Sequence, residues 1–232
     1  MARRMRIAIE LNNVLRDFNF QVMKYYLRDI NPSFDETTVD KNCVNILDYL
    51  PFKGLKTTKN EFVYIDYPYE LFGCAKTTSK HLHTEMYDWI DGMEDVEVIL
   101  FSLDEKALTI QSTYFFLSKG NKTREMVFPK KPRDIWNYCD VAITTNKEVI
   151  QTKPFDKQTI LIRKCDNKEW ESWCNFAYDD FLSVMRDKDF LRKIKGETLD
   201  KSNTLSKISD FLKTTSLWKK INEILMKIGI KK

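Results

Sequence analysis

Short apolar runs alternate with longer stretches of helical spacing along most of this chain, and that alternation predicts its architecture. Ile7, Ala8 and Ile9 form a run too short and too apolar for anything but a buried strand. From Leu15 to Ile30 the apolar groups recur at helical spacing, with Phe18, Val22, Tyr25 and Tyr26 on one face. Asn31-Pro32 ends that helix, because a residue before proline avoids helical geometry. Val96 to Ser102 reads as a second buried strand, Ala107 to Ser118 as a helix stopped at Lys119-Gly120-Asn121, and Arg124 to Phe128 as a third strand. Pro132 to Cys139 fits a short helix with proline in its first turn. Asp140 to Thr145 is a strand again, and Thr159 to Arg163 reads as the last one.

Strands alternating with helices over short connections predict an α/β fold, a doubly wound parallel sheet covered on both faces. Residues 33–95 break the alternation with polar turns and aromatic-rich segments such as Phe62 to Phe72, and read as a mostly helical, cap-like insertion. The expected division is a core from 1–32 and 96–165, the insertion at 33–95, and a carboxyl-terminal helical appendage at 166–232. In that appendage Trp170, Trp173, Phe176, Ala177, Phe181, Val184, Met185 and Phe190 suggest one helix or a broken pair, followed by a hinge-like stretch at 196–203. The end of the chain then places Leu205, Ile208, Phe211, Leu212, Trp218, Ile221, Leu225 and Ile228 close to one helical stripe, with lysines opposite. Burying those side chains is worth on the order of 10 to 20 kcal/mol before entropy costs, so the stripe needs a cover. The cover is expected to be the chain's own sheet or a neighbouring subunit, ahead of a membrane surface.

Charge and composition narrow the chemistry. The 232 residues carry 38 basic and 34 acidic groups, a net +4 spread along the chain, which predicts a mixed solvated surface and no specific nucleic-acid partner. Five cysteines (Cys43, Cys74, Cys139, Cys165, Cys174) form no C-x-x-C pair, and His81 and His83 are the only histidines. Buried thiols in a reducing compartment are expected, with no metal cage. No signal-like opening and no apolar run of membrane length are present, so a soluble chain without a membrane partner is expected.

Ligands of doubly wound sheets bind beyond the carboxyl ends of the strands, where Glu10, Ser102, Thr144 and Thr145 fall. Taken in order, these strand ends resemble the motifs of the haloacid dehalogenase-like (HAD) superfamily over roughly residues 5–165. Glu10-x-Asn12 stands where that family has Asp-x-Asp, Ser102 closes a hydrophobic strand as its second motif does, Lys130 or Lys131 follows the next strand, and Thr144-Thr145 stands where paired acids are usual. The resemblance implies a phosphate-handling fold, similar to the deoxyribonucleotidase type with an insertion after the first motif.

The departures predict that the chemistry is lost. A carboxylate nucleophile must lie about 3 to 3.5 Å from phosphorus and in line with the leaving oxygen. Glu10 adds a methylene to the nucleophile position, Asn12 cannot protonate a leaving group, and Thr144 and Thr145 offer neutral hydroxyls where Mg²⁺ needs carboxylate oxygen. Asp140 lies four to five residues too early on its strand to substitute. Ser102 and Lys131 remain as a candidate anion-binding pair.

The chain also resembles HAD-like proteins of crAss-like phages through Ile9-Glu-Leu-Asn-Asn-Val-Leu-Arg-Asp17, Tyr69-Glu-Leu-Phe-Gly73, Ile110 to Lys119 and Ile135-Trp-Asn-Tyr-Cys-Asp140. That resemblance implies a catalytically inactive structural protein of a phage virion, a ring or accessory subunit of the neck or tail. Its partners would be other virion proteins and further copies of itself, located in the virion and, during assembly, in the host cytoplasm. No cofactor is expected. The alternatives are a Mg²⁺-dependent nucleotide phosphatase and a non-catalytic binder of phosphate or nucleotide.

Overall fold

The structure is a computed structural model that describes residues 4–79, 82–93, 95–103, 105–119 and 125–196. Among them are six strands, β1 (Met5–Glu10), β2 (Val96–Phe101), β3 (Met126–Val127), β4 (Val141–Thr144), β5 (Gln158–Ile162) and β6 (Phe176–Tyr178). The helices are α1 (Phe18–Tyr25), α2 (Lys59–Glu61), α3 (Leu82–Asp91), α4 (Ala107–Ser118), α5 (Lys147–Gln151), α6 (Phe181–Arg186) and α7 (Phe190–Ile194), with 3₁₀ and π turns between them. The chain divides into two units, Met1–Asp187 and Lys188–Lys232; α7 belongs to the second. The stop at Gly120-Asn121, His81, and the apolar stripe from Leu205 to Ile228 lie outside the described residues.

All six strands of the first unit are parallel, in the order β3-β2-β1-β4-β5-β6. This is a doubly wound α/β sheet. The strand order reverses between β1 and β4, where Ile7 stands opposite Val141, so the ligand crevice of such a sheet opens at the carboxyl ends of these two strands. β1 lies in the interior of the sheet with Ile7, Ala8 and Ile9 fully buried, as a central parallel strand requires.

The sheet extends one strand beyond the sequence expectation. Phe176-Ala-Tyr178 pairs with Ile160 to Ile162 as β6, inside a segment whose aromatic spacing suggests helix. Three residues are too few to show alternation, and all three are only half-buried at the sheet edge. The helices of this region are shorter than expected, a 3₁₀ turn at Lys168–Trp173 and α6.

The connection from β1 to β2 holds most of the irregular structure, and it has a core of its own. Tyr26 packs edge-on against Phe34, Phe52 and Phe62, and Phe18 packs against Phe72 at 5.1 Å between centroids. Helix α1 therefore shares its buried face with residues 34–72. The last helix of the connection, α3, packs elsewhere, with Trp89 edge-on to Phe181 of α6 at 5.6 Å.

Cys43 and Cys139 lie within these cores with almost no exposure. Burial pushes both thiols up to about 12. The unfolded chain loses these protons near the ordinary cysteine value while the folded chain keeps them. Their contribution is therefore complete below about pH 9 and is lost as pH rises toward 12. Lys164 acts in the opposite sense, because its pKa is lowered by burial and its cost is relieved as pH rises. Cys165 and Cys174 shift in the same sense as the two buried thiols and Lys119 in the same sense as Lys164, so thiols outnumber amines and folding stability is expected to fall as pH rises above about 9. Urea melts across pH 8 to 11 measure this, and Cys43→Ala with Cys139→Ala should flatten the slope.

Candidate functional site

The site is built around the sharp turn that leaves β1. Asn13 adopts a left-handed conformation (φ 60°), which asparagine tolerates better than most residues. Its side chain holds the turn by donating to Val44 O at 2.8 Å and to Asn19 Oδ1 at 3.0 Å. Arg16 N–H and Leu15 N–H both return to Leu11 O, which folds Arg16 back beneath the end of the strand.

Glu10, which the HAD resemblance sets at the nucleophile position, is buried and already engaged. Its Oε2 accepts from Thr144 Oγ1 at 2.7 Å, from the Thr145 N–H at 2.7 Å and from Thr145 Oγ1 at 3.2 Å. Thr144 Oγ1 in turn accepts from the Asn146 N–H at 2.9 Å, so β4 ends in a small cage of donors around one carboxylate oxygen. The sequence places Glu10, Thr144 and Thr145 at neighbouring strand ends, and the structure brings all three together. Lys164, just past β5, also faces this charge. Burial lowers its pKa, while Asp17 and Glu10 oppose the shift.

Asn12, which the same resemblance sets at the general-acid position, serves a different purpose. Its Oδ1 accepts from Arg16 Nε at 2.9 Å and Nη2 at 2.6 Å. Arg16 is fully buried, and the rest of its guanidinium donates to Phe72 O (3.0 Å), Thr113 Oγ1 (2.7 Å), Glu105 Oε1 (3.0 Å) and, more distantly, Ser102 Oγ (3.3 Å). Glu105 Oε1 also accepts from Ser102 Oγ at 2.6 Å and Thr113 Oγ1 at 2.8 Å. The rings of Phe72 and Phe116 flank the guanidinium at 4.9 and 5.5 Å. Burial lowers the Arg16 pKa and Glu105 opposes that shift, but a guanidinium starts so far above neutrality that it stays charged. A fully buried Arg-Glu pair thus ties the end of β1 to the end of β2, to α4 and to the insertion.

The other sequence candidates fall apart as a group. Ser102 is consumed by Glu105 and Arg16. Lys130 and Lys131 line no part of the cleft, and the Lys131 N–H donates to Asp134 Oδ2 as part of a cap on the 3₁₀ turn Pro132–Asn137. Among the described residues no hydrogen bond joins Ser102 to Lys131. Asp140 sits at the opposite end of the sheet, accepting from Arg6 N–H (2.9 Å) and Lys157 Nζ (2.7 Å), as its place on the strand predicts.

Above Glu10 and Asn12 lies a cavity of about 290 Å³ between the strand ends and the insertion. The core contributes Glu10, Asn12, Leu103, Thr145 and Asn146 to its wall, and the insertion contributes Val44, Asn45, Lys59, Val63, Tyr64 and Phe72. Arg16, Glu105, Thr113 and Asn45 are not among the residues that sequence reasoning singles out. Nothing in their spacing marks Glu105 or Thr113, whereas Asn45 and Asn146 each precede a turn in the manner of a cap.

The HAD resemblance implies Mg²⁺ here, and the donor set does not fit it. Octahedral coordination needs several free, mostly anionic oxygens. One oxygen of Glu10 is saturated by three donors, the Asn12 oxygen faces a guanidinium, and Thr144 and Thr145 aim hydrogens at Glu10. Among the described residues no cluster of three or more His, Cys, Asp or Glu side chains could hold a metal ion. No described helix is long and apolar enough to cross a membrane.

Fold and site together define a doubly wound α/β protein with a capped cleft at the switch point of its sheet. No family model matches the chain, and no curated protein matches it. Among solved structures the chain is similar to a protein described as a haloacid dehalogenase-like hydrolase from Burkholderia xenovorans LB400. The identity is 10%, over 82% of this chain and 99% of that one, with a TM-score of 0.46.

Proposed function

We propose that this chain is a HAD-like scaffold that performs no phosphoryl transfer and serves as a structural subunit, in a ring or accessory position of a phage neck or tail. The observation that supports the loss of catalysis is the double occupation of the first motif. Glu10 holds the end of β4 and Asn12 holds Arg16, so each side chain already has a structural partner where a phosphatase needs a free nucleophile and a proton donor. Binding of phosphate without turnover is disfavoured by the same geometry. A phosphate beside Glu10 would bring a second negative charge to the wall of the cavity. The virion assignment is supported by the resemblance carried by residues 9–17, 69–73, 110–119 and 135–140.

Two measurements test the two halves. Purified protein with Mg²⁺ and p-nitrophenyl phosphate or a nucleoside monophosphate should release phosphate no faster than buffer; turnover abolished by Glu10→Ala would overturn the catalytic half. The chain should be found in purified particles in stoichiometric copy number by mass spectrometry. Its absence from particles would end the structural-subunit reading.

A further inference from the structure

Helix α4 is built with its polarity reversed. Its buried face carries Thr109, Ser112 and Thr113 beside Phe116 and Leu117. Each hydroxyl is satisfied within the chain: Thr109 Oγ1 donates to Lys106 O at 2.9 Å, Ser112 Oγ to Leu108 O at 2.9 Å and Thr113 Oγ1 to Glu105 Oε1 at 2.8 Å. The outward face instead carries Leu108, Tyr114 and Phe115, which are 55%, 49% and 43% exposed. A helix that answers only to its own core shows the opposite arrangement. Ala107 to Ser118 also contains no charged residue, although 31% of the chain is charged, so nothing on this face is selected for water. Tyr69 of the π turn 69–73 extends the face, 46% exposed with its ring 5.2 Å from Phe115. Gly73 lets that turn come close, because a Cβ there would stand 3.1 Å from Ser112 O. The aromatic groups are therefore mounted on packed structure and not on a loop tip. The two lysines that bracket α4 turn to their own chain, Lys106 Nζ 3.7 Å from the centre of the Tyr64 ring and Lys119 Nζ donating to Gly73 O at 2.7 Å.

Charge and spacing on this face suit a second copy of the same chain. A partner with a charged surface would find no counter-charge between Ala107 and Ser118 and would strand its own ions. A helix that crosses its own copy antiparallel at Gln111 brings Leu108 against Tyr114 of the second copy and Ala107 against Phe115. Each ring then meets a smaller side chain. Gln111, which is exposed, falls at the axis, where its amide offers both a donor and an acceptor to its twin. A two-fold contact demands such self-complementarity, and in this register Lys106 and Lys119 are not set against each other. We propose that the outward face of α4 is a two-fold contact between copies of this chain, centred on Gln111. Twelve residues of helix span about 18 Å, a small face for a dimer, so association in the micromolar range is expected. A dimer in solution requires neither a virion nor the loss of catalysis. Particles that lack the chain would sink the subunit reading and leave the dimer standing.

The test is sedimentation velocity of the full chain from about 1 to 200 μM, where a shift from monomer to dimer is expected. Gln111→Glu and Gln111→Lys change an exposed helical position, so both variants should fold and melt as the unsubstituted chain does. Each sets like charges together at the axis and should weaken dimerisation by about tenfold or more. An equimolar mixture of the two variants should regain the affinity of the unsubstituted chain, because the charges then oppose. That recovery follows only if Gln111 meets Gln111, and a merely structural role for the residue would not produce it. A chain that stays monomeric over the whole range would overturn the proposal. So would an assembly whose affinity neither variant changes, which would put the contact elsewhere, or weakening in both without recovery on mixing. Lower melting points in both variants with association unaltered would show that the chain covers this face itself, and would overturn it as well.

Discussion

Arg16→Met is expected to cost about 3 to 5 kcal/mol, because it strips one partner from a fully buried ion pair. Methionine fills the volume of the aliphatic stem between Phe72 and Phe116, so the loss is mainly electrostatic. Glu105 would then be left in the interior without its cation, with Ser102 and Thr113 still donating to it. Asn12 Oδ1 and Phe72 O would lose their donors as well. For a domain of this size each kcal/mol moves the melting point by about 2 to 4 °C, so a fall of roughly 6 to 20 °C is expected. Adding Glu105→Leu should recover much of it, since replacing both members of a buried pair by apolar groups is often close to neutral. A double-mutant cycle read by urea denaturation gives the coupling. An Arg16→Met loss below about 1 kcal/mol would mean that water reaches the pair and that the guanidinium does not brace the cap.

The parts of this fold that are legible in the sequence are those with enough length to show a period. β1, β2 and β4 announce themselves as apolar runs, and α4 spans Ala107 to Ser118 as its spacing predicts. β6 stays hidden because three edge residues next to Trp170 and Trp173 mimic a helical face. The π turns at 26–30, 62–66 and 69–73 follow no period that sequence reading uses, which is why the insertion reads as irregular. In the site, Glu10, Thr144 and Thr145 can be grouped because parallel strands put their carboxyl ends on one side. Arg16 cannot be placed, because its partners beyond Asn12 lie 56, 86, 89 and 97 residues away. That Asn12 cannot act as an acid follows from its side chain alone, but its role as a guanidinium acceptor depends on a backbone turn that no local pattern encodes.

The sign of the Glu10→Ala effect separates a structural carboxylate from a catalytic one. Catalytic groups are commonly held at a cost to stability, so removing them tends to stabilise the enzyme. Here the opposite is expected. Without Glu10 the Thr145 N–H and the hydroxyls of Thr144 and Thr145 are left buried, with their acceptor gone. Orphaned donors of this kind cost about 1 to 3 kcal/mol each, less whatever the hydroxyls recover by rotating, so a net loss of roughly 3 kcal/mol follows. Glu10→Gln should lose about half as much, because the amide oxygen still accepts but without charge. Glu10→Asp should also destabilise, since one methylene fewer withdraws the oxygen from Thr145. For that reason placing an aspartate at this position, even together with Asn12→Asp, is expected to loosen the sheet end without producing turnover. The second carboxyl group would lie against Arg16, which favours its ionised form and leaves no proton to donate. Thermal melts of the three single variants, with and without Mg²⁺, decide the matter. A gain in stability for Glu10→Ala would mark Glu10 as a strained functional group and reopen the catalytic reading.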